Sequence, residues 1–307
     1  MTPTDRAELE RNRPARPGTG DLFGWPLRDP GADDYQRIGL AGLWLNAHAR
    51  AHRAREALPA LLLIPGAYHG AWCYGGYLEA FDREGVAAAA LDLRGHGARA
   101  VDGLSPATGV NDYVADACAA ALWLTQRHGR PPIILGHSLG GLVAAAAAAQ
   151  TPASGLLLLA PSPPGNLPGA AQVPEVPTGA LRNRPADQEV HTRFLGALPV
   201  PDLRAWADRL CPESPTALND RYRLRVPVAF DALRGLPGLC IEAGLDDAAR
   251  HPAGQDAAIA DAYGIEYLLL EHAPHCMMAG ASGEESFRAL LHGWRRIKHA
   301  AQDPRSG

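Results

Sequence analysis

Ile133-Ile134-Leu135-Gly136-His137-Ser138-Leu139-Gly140-Gly141 leads from a short aliphatic run, through a serine flanked by glycines, into Leu142-Val143 and the alanine run 144–149. The aliphatic run suits a strand covered on both faces, and the alanine-rich stretch suits a helix, stopped by Pro152. Together they set G-x-S-x-G between a strand and a helix. For the hydroxyl to project from the sheet edge the turn must be sharp and strained. Side chains at 136 and 140 would then strike the packed strand and helix, and glycine removes both collisions.

Outward from this point, short apolar runs at 61–64, 86–91, 156–159, 239–242 and 265–270 alternate with helical stretches at 74–84, 111–128, 139–150 and 252–263. Glycines 85, 129 and 264 stand where three of these helices should end. A last helix is marked by the capping-box spacing of Ser282 and Glu285 and by one apolar stripe, Phe287, Leu290, Leu291, Trp294 and Ile297, expected to face the core. The rhythm predicts an α/β chain, doubly wound, with a mostly parallel sheet flanked by helices. Residues 161–233 break it with many prolines, several aromatics and no plain strand. A structureless loop of that length is implausible in a compact domain, so a partly helical cap over the sheet is expected, with Trp206 and Phe230 governing substrate choice. The expected layout is a flexible tail over 1–35, a core over 36–160 and 234–301, and the cap over 161–233.

The chain has 307 residues, 47% hydrophobic and 20% charged, with a formal net charge of -4. It offers no basic footprint for nucleic acid and no apolar run of the roughly 18 residues a membrane span needs, so neither partner is expected. A small neutral or weakly charged molecule is the expected partner. The five cysteines are scattered and never form C-x-x-C, which argues against a disulfide framework or zinc knuckle and fits a reducing cytoplasm. The N-terminus lacks the apolar stretch of a secretory signal. Neither a phosphate-binding loop nor a dinucleotide fingerprint is present, so no cofactor is expected. His48, His52 and Glu56 have a spacing that can bind metal on a helix, yet no H-E-x-x-H occurs, and they read as exposed polar residues.

A serine hydroxyl is a weak nucleophile at neutral pH and needs a base to take its proton, and that base needs an acid to orient it. His275 follows the last apolar strand and is the expected base, with His272 as competitor. The run 239–242 leads into Gly244-Leu245-Asp246-Asp247, and either carboxylate could turn toward the histidine. Asp247 is preferred because the acid must sit a few residues beyond the strand end to reach over toward the serine. Backbone N–H groups of Leu139 and Ala67 are expected to face the developing oxyanion, with Gly66 allowing the tight turn beneath the site. Tyr68, Trp72 and His137, from the same two segments, are the expected substrate contacts. Cys276 reads as packing, and Asp92 and His96 as ties within the loop beside the serine.

Together, Gly136 to Gly141, Asp92-Leu93-Arg94-Gly95-His96-Gly97 and Pro274-His275-Cys276-Met277-Met278 resemble the α/β-hydrolase superfamily, over about Leu61 to Trp294. The run Gly66 to Cys73 is similar to the branch holding plant-type esterases and hydroxynitrile lyases. Pro65 stands where those proteins commonly carry histidine, and Ala98 where serine is frequent. The resemblance implies Ser138 as nucleophile, Asp247 as acid and His275 as base, with Ala67 and Leu139 as oxyanion donors, acting on a carboxylic ester or similar acyl bond. A lyase or C–C bond hydrolase on the same residues, or a non-catalytic small-molecule receptor, are the alternatives.

Overall fold

A computed structural model describes residues 22–24, 34–51, 58–99 and 103–300. Its centre is an eight-stranded sheet of order β1-β2-β4-β3-β5-β6-β7-β8. The strands are β1 (Tyr35–Ile38), β2 (Ala41–Leu45), β3 (Leu61–Ile64), β4 (Ala88–Asp92), β5 (Ile133–His137), β6 (Gly155–Leu159), β7 (Gly238–Ala243) and β8 (Glu266–Leu270). From β4 across to β8 every pairing is parallel, while β1 and β2 run antiparallel along one edge.

Burial on both faces explains the continuous apolar runs. Leu61, Leu63, Ile133, Leu135, Leu157 and Leu159 point into one core. Their neighbours Leu62, Ile64, Ile134, Leu156 and Leu158 point into the other, as the two-residue strand period requires. The first face is covered by α1 (Gly75–Arg83) and α5 (Gly280–Ala300), the second by α2 (Val110–His128), α3 (Leu139–Ala148) and α4 (Gln255–Tyr263). The expected stripe of the last helix is buried, Leu290 completely. That helix begins at Gly280, so Ser282 lies inside its first turn and not at its cap.

Two parts of the N-terminal reading change. Residues 35–45 form a hairpin whose short strands, one interrupted by Gly42, carry no strong apolar run; its second strand is fixed by pairing with β4. Leu22 and Phe23, placed in the expected tail, are 1% exposed, and Phe23 packs on Tyr77 and Phe287. The rest of that tail, residues 1–21 and 25–33, lies outside the described residues, as do His52 and Glu56. His48 is paired with Asp82 at 3.0 Å.

Between β6 and β7 the chain leaves the sheet. It forms short helices at Asp187–Glu189, Leu203–Ala207, Pro215–Tyr222 and Phe230–Leu233, with a π-helical turn at Val190–Phe194. One buried carboxylate ties this insertion to the core. Glu213 accepts from Tyr113 Oη at 2.5 Å, from the backbone N–H of Ser214 at 2.7 Å and of Tyr68 at 3.1 Å, and faces His96 Nε2 at 3.2 Å. Burial works against its charge, but His96 and these donors hold it below the usual carboxylate range. His96 is likewise opposed by burial and raised above its ordinary value by Glu213. Within the core, Asp92 ties β2 to the loops after β3 and β4, accepting from Trp44 Nε1 and from the backbone N–H groups of Ala71 and Ala98.

Glu213→Ala would leave His96 buried without its counter-charge and the donors of Tyr113, Ser214 and Tyr68 without their acceptor, and is expected to cost about 3–5 kcal/mol in denaturant unfolding. Because the pKa of His96 is raised, its share of that stability is full below 6.5 and is lost as pH rises through the folded value. The lowered Glu213 contributes above the usual carboxylate range. The gap between wild type and variant should therefore be widest near about pH 6 and narrow on the alkaline side. A gap that widens with alkalinity would show that the pair is not ionised.

Candidate active site

Ser138 leaves β5 with φ 54° and ψ -123°, a left-handed backbone that a non-glycine residue holds only when its surroundings enforce it. The enforcement is visible. Its N–H donates to Leu159 O at 3.0 Å, and its carbonyl accepts from Gly141 N at 2.8 Å and Ser162 N at 2.9 Å. A Cβ on Gly136 would sit 2.1 Å from Gly140 O, and one on Gly140 would sit 2.3 Å from Pro65 O. Both glycines are therefore required because strand, helix and the loop after β3 touch at backbone level. The alanines of α3 continue this close fit, all buried from 144 to 148.

His275 lies between β8 and α5 and is buried. Its backbone carbonyl accepts from His137 Nε2 at 2.9 Å, so the residue before the serine fixes the loop that carries the imidazole. Its Nδ1 stands 2.6 Å from Asp246 Oδ2. A carboxylate only accepts, so Nδ1 carries the proton and Nε2 is left as the basic nitrogen. Burial works against the Asp246 charge, but His275 and His251 beside it, with hydrogen bonds from His275 and Asp247 N, hold it below the usual carboxylate range. His272, the competing histidine, is exposed.

The carboxylate that meets His275 is Asp246 and not the expected Asp247. Asp247 does not meet His275; it turns to Arg250 Nη1 at 2.8 Å, to Ala249 N at 3.1 Å and toward Arg193 Nε at 3.4 Å. The turn after β7 is tighter than residue counting assumed. Leu245 N bonds Ala273 O, Asp246 N bonds Ala243 O, and Gly244 lies so close to Glu271 O that a Cβ would be 2.3 Å away. That brings residue 246 over the histidine and sends 247 to arginines that the sequence reading did not place there.

Ser138, Ala67, Tyr68, His137, Leu139 and His275 line one cleft. Tyr68 has a positive φ of 68°, and its N–H is held by Glu213. Trp72, expected against substrate, is not among the cleft's lining residues. It is 7% exposed and packs on His69 and Trp206, with ring centroids 5.4 and 5.2 Å away. Trp206 is fully buried there, and Phe230 packs on Tyr263 of α4, so neither of these two cap aromatics lines the cleft. The insertion contributes Ser162, Arg193, Phe194, Leu218, Arg221 and Tyr222 instead. The sequence held no signal for these beyond their place in the insertion.

Burial lowers the pKa of His69 to about 4 and of His251 to about 3, and drives that of His137 well below its ordinary value, so these neighbours stay neutral. Ligand-capable atoms of Asp246, His251 and His275 lie within 4.8 Å of one another. Asp246 and His275 already satisfy each other there, and three guanidinium groups line the same cleft, a setting that favours an anion over a cation. No helix among the described residues is long and apolar enough to cross a membrane.

Comparison with known proteins follows the same lines. Residues 61–288 match the model of the "Alpha/beta hydrolase family". A methylesterase from Arabidopsis superposes with a TM-score of 0.61 at 19% identity, covering 78% of this chain and 100% of its own. A thermophilic esterase gives 0.57 at 17%, covering 86% and 97%. Tomato methylketone synthase I complexed with 2-tridecanone gives 0.61 at 20%, covering 79% and 100%. No curated protein matches by sequence.

The backbone contacts at the serine turn make a direct prediction. Gly140→Ala should cost about 3 kcal/mol or abolish soluble expression, since the added methyl meets carbonyl oxygens of Ile64 and Pro65 that cannot move independently of the sheet. Gly129→Ala meets no atom within 4 Å and serves as the control; it carries only the strain of its positive φ. Equal melting temperatures for the two variants would refute the close-contact argument.

Proposed function

The chain belongs to the α/β-hydrolase family, and from that premise we propose that it is a serine hydrolase cleaving a carboxylic ester or similar acyl bond. The observation that carries the reading is the 2.6 Å contact of Asp246 with His275 Nδ1 beside the strained Ser138 turn, within one cleft. His275 Nε2 takes the Ser138 proton as Oγ attacks the acyl carbon, and the Asp246 carboxylate stabilises the imidazolium that forms. The backbone N–H groups of Ala67 and Leu139 receive the negative charge developing on the carbonyl oxygen. The imidazolium gives its proton to the departing alcohol, leaving an acyl-enzyme at Ser138. Water activated by His275 then releases the acid and restores the serine.

Residues 161–233 act in this scheme as a cap. Their aromatic contribution to the cleft is Phe194 and Tyr222, while Trp206 supports His69 from behind with its indole nitrogen 3.2 Å from His69 Nε2. Esterases among the structural neighbours support an ester as the bond cleaved.

Ser138→Ala is expected to lose on the order of 10⁴ to 10⁶ in kcat on p-nitrophenyl esters and to escape labelling by a fluorophosphonate, while melting like wild type. A folded variant with near-normal turnover would exclude Ser138 as nucleophile, and an unlabelled wild type would favour a receptor.

Asparagine at 246 should leave His275 in the wrong tautomer and lower kcat on the order of 10⁴-fold, whereas asparagine at 247, which loses only its arginine and backbone contacts, should lower kcat by about tenfold at most. A severe loss confined to position 247 would reverse the assignment.

A further inference from the structure

The cleft above Ser138 holds more positive charge than its carboxylates neutralise. Arg193, Arg221 and Arg250 line it, and Asp246 and Asp247 are the acidic residues among its lining. Asp246 is engaged by His275. Asp247 is divided between Arg250 at 2.8 Å and Arg193 at 3.4 Å, and Arg193 also pairs with Glu189.

Arg221 has no such carboxylate partner among the described residues. It is 4% exposed; Nη2 donates to the carbonyl of Arg250 at 2.5 Å, and Nη1 is buried without a hydrogen-bond partner. Burial lowers its pKa only to about 10, so the guanidinium is charged at neutral pH. Asp256, the other buried carboxyl close enough to act on it, is itself pushed well above the usual carboxylate range, chiefly by burial. A buried guanidinium nitrogen without an acceptor, on a residue that lines the cleft, is unfavourable unless a ligand completes it. A planar carboxylate matches that donor fork better than any neutral group.

We infer that the substrate of this site carries a carboxylate besides the bond that is cleaved, and that Arg221, flanked by Arg193 and Arg250, binds it. This rests on the serine-hydrolase reading and narrows it to anionic esters.

The test reads binding without turnover. Ser138→Ala is titrated by calorimetry with monomethyl glutarate and with methyl pentanoate, which differ in a terminal carboxylate against a methyl group. The anionic ester should bind at least about tenfold more tightly, and added salt should weaken it selectively. Equal affinities, or a preference for the neutral ester, would overturn the inference.

In the otherwise wild-type enzyme, Arg221→Gln should lower the ratio of kcat/KM for mono-p-nitrophenyl glutarate over p-nitrophenyl pentanoate by about tenfold or more. An unchanged ratio in a variant shown folded by circular dichroism counts against it. Should that variant fail to fold, the ligand pair on Ser138→Ala decides the matter alone. Failure of fluorophosphonate labelling in wild type would instead remove the hydrolase reading, and that outcome is distinct from equal binding of the two esters.

Discussion

At the turn after β5 three pieces of backbone meet with no room for a side chain between them. The carbonyls of Ile64 and Pro65 face Gly140, the carbonyl of Gly140 faces Gly136, and Ser138 is held between them in a left-handed conformation. The parallel pairing of β3 with β5 and of β5 with β6 fixes the distances on one side. The alanine surface of α3 fixes them on the other. The strain at one residue is thus carried by the whole centre of the sheet, and a serine hydroxyl is presented in one direction only. The loop after β3 then brings Ala67 to the same point, and His137 reaches across to the carbonyl of His275.

What was legible in the sequence was whatever depends on local chemistry repeated over several residues. Leucine and isoleucine runs buried on both faces announced β3, β5 and β6, and the glycines around Ser138 announced the turn. The hairpin of β1 and β2 was not legible. Tyr35 to Leu45 contains Gly39 and Gly42 and owes its conformation to the edge of β4, a partner more than forty residues away. The same holds at His275. Asp246 and Asp247 are chemically identical neighbours, and which of them faces the imidazole follows from the tightness of one turn and from Arg250 and Arg193 competing for the second.

Aromatic residues misled for a related reason. Trp72 and Trp206 lie in segments expected to meet a ligand, but Trp72 stacks on His69 while Trp206 meets both rings edge-on. The cleft receives its polarity from arginines of the insertion and of the loop after β7, whose positions follow from how those segments pack. Composition alone gave a mildly acidic chain and suggested a neutral or weakly charged partner, whereas three arginines and two aspartates line the cleft. Net charge describes the envelope of a protein, while a binding site is governed by the few charges that face inward.

Glu213 has a mechanical meaning beyond its stabilising one. Its hydrogen bonds reach Tyr68 beside the serine, His96 after β4, Tyr113 on α2 and the start of the helix at Pro215. To lift that point of the insertion would expose an ion pair to separation in a dry interior and would release Tyr68, with Ala67 next to it, from its seat. The insertion is therefore clamped here, and it is held again at Phe194, whose carbonyl accepts from Cys276 N at 2.8 Å. A displacement of the insertion would be felt at once in the loop after β3, through Tyr68, and in the loop that carries His275, through Cys276.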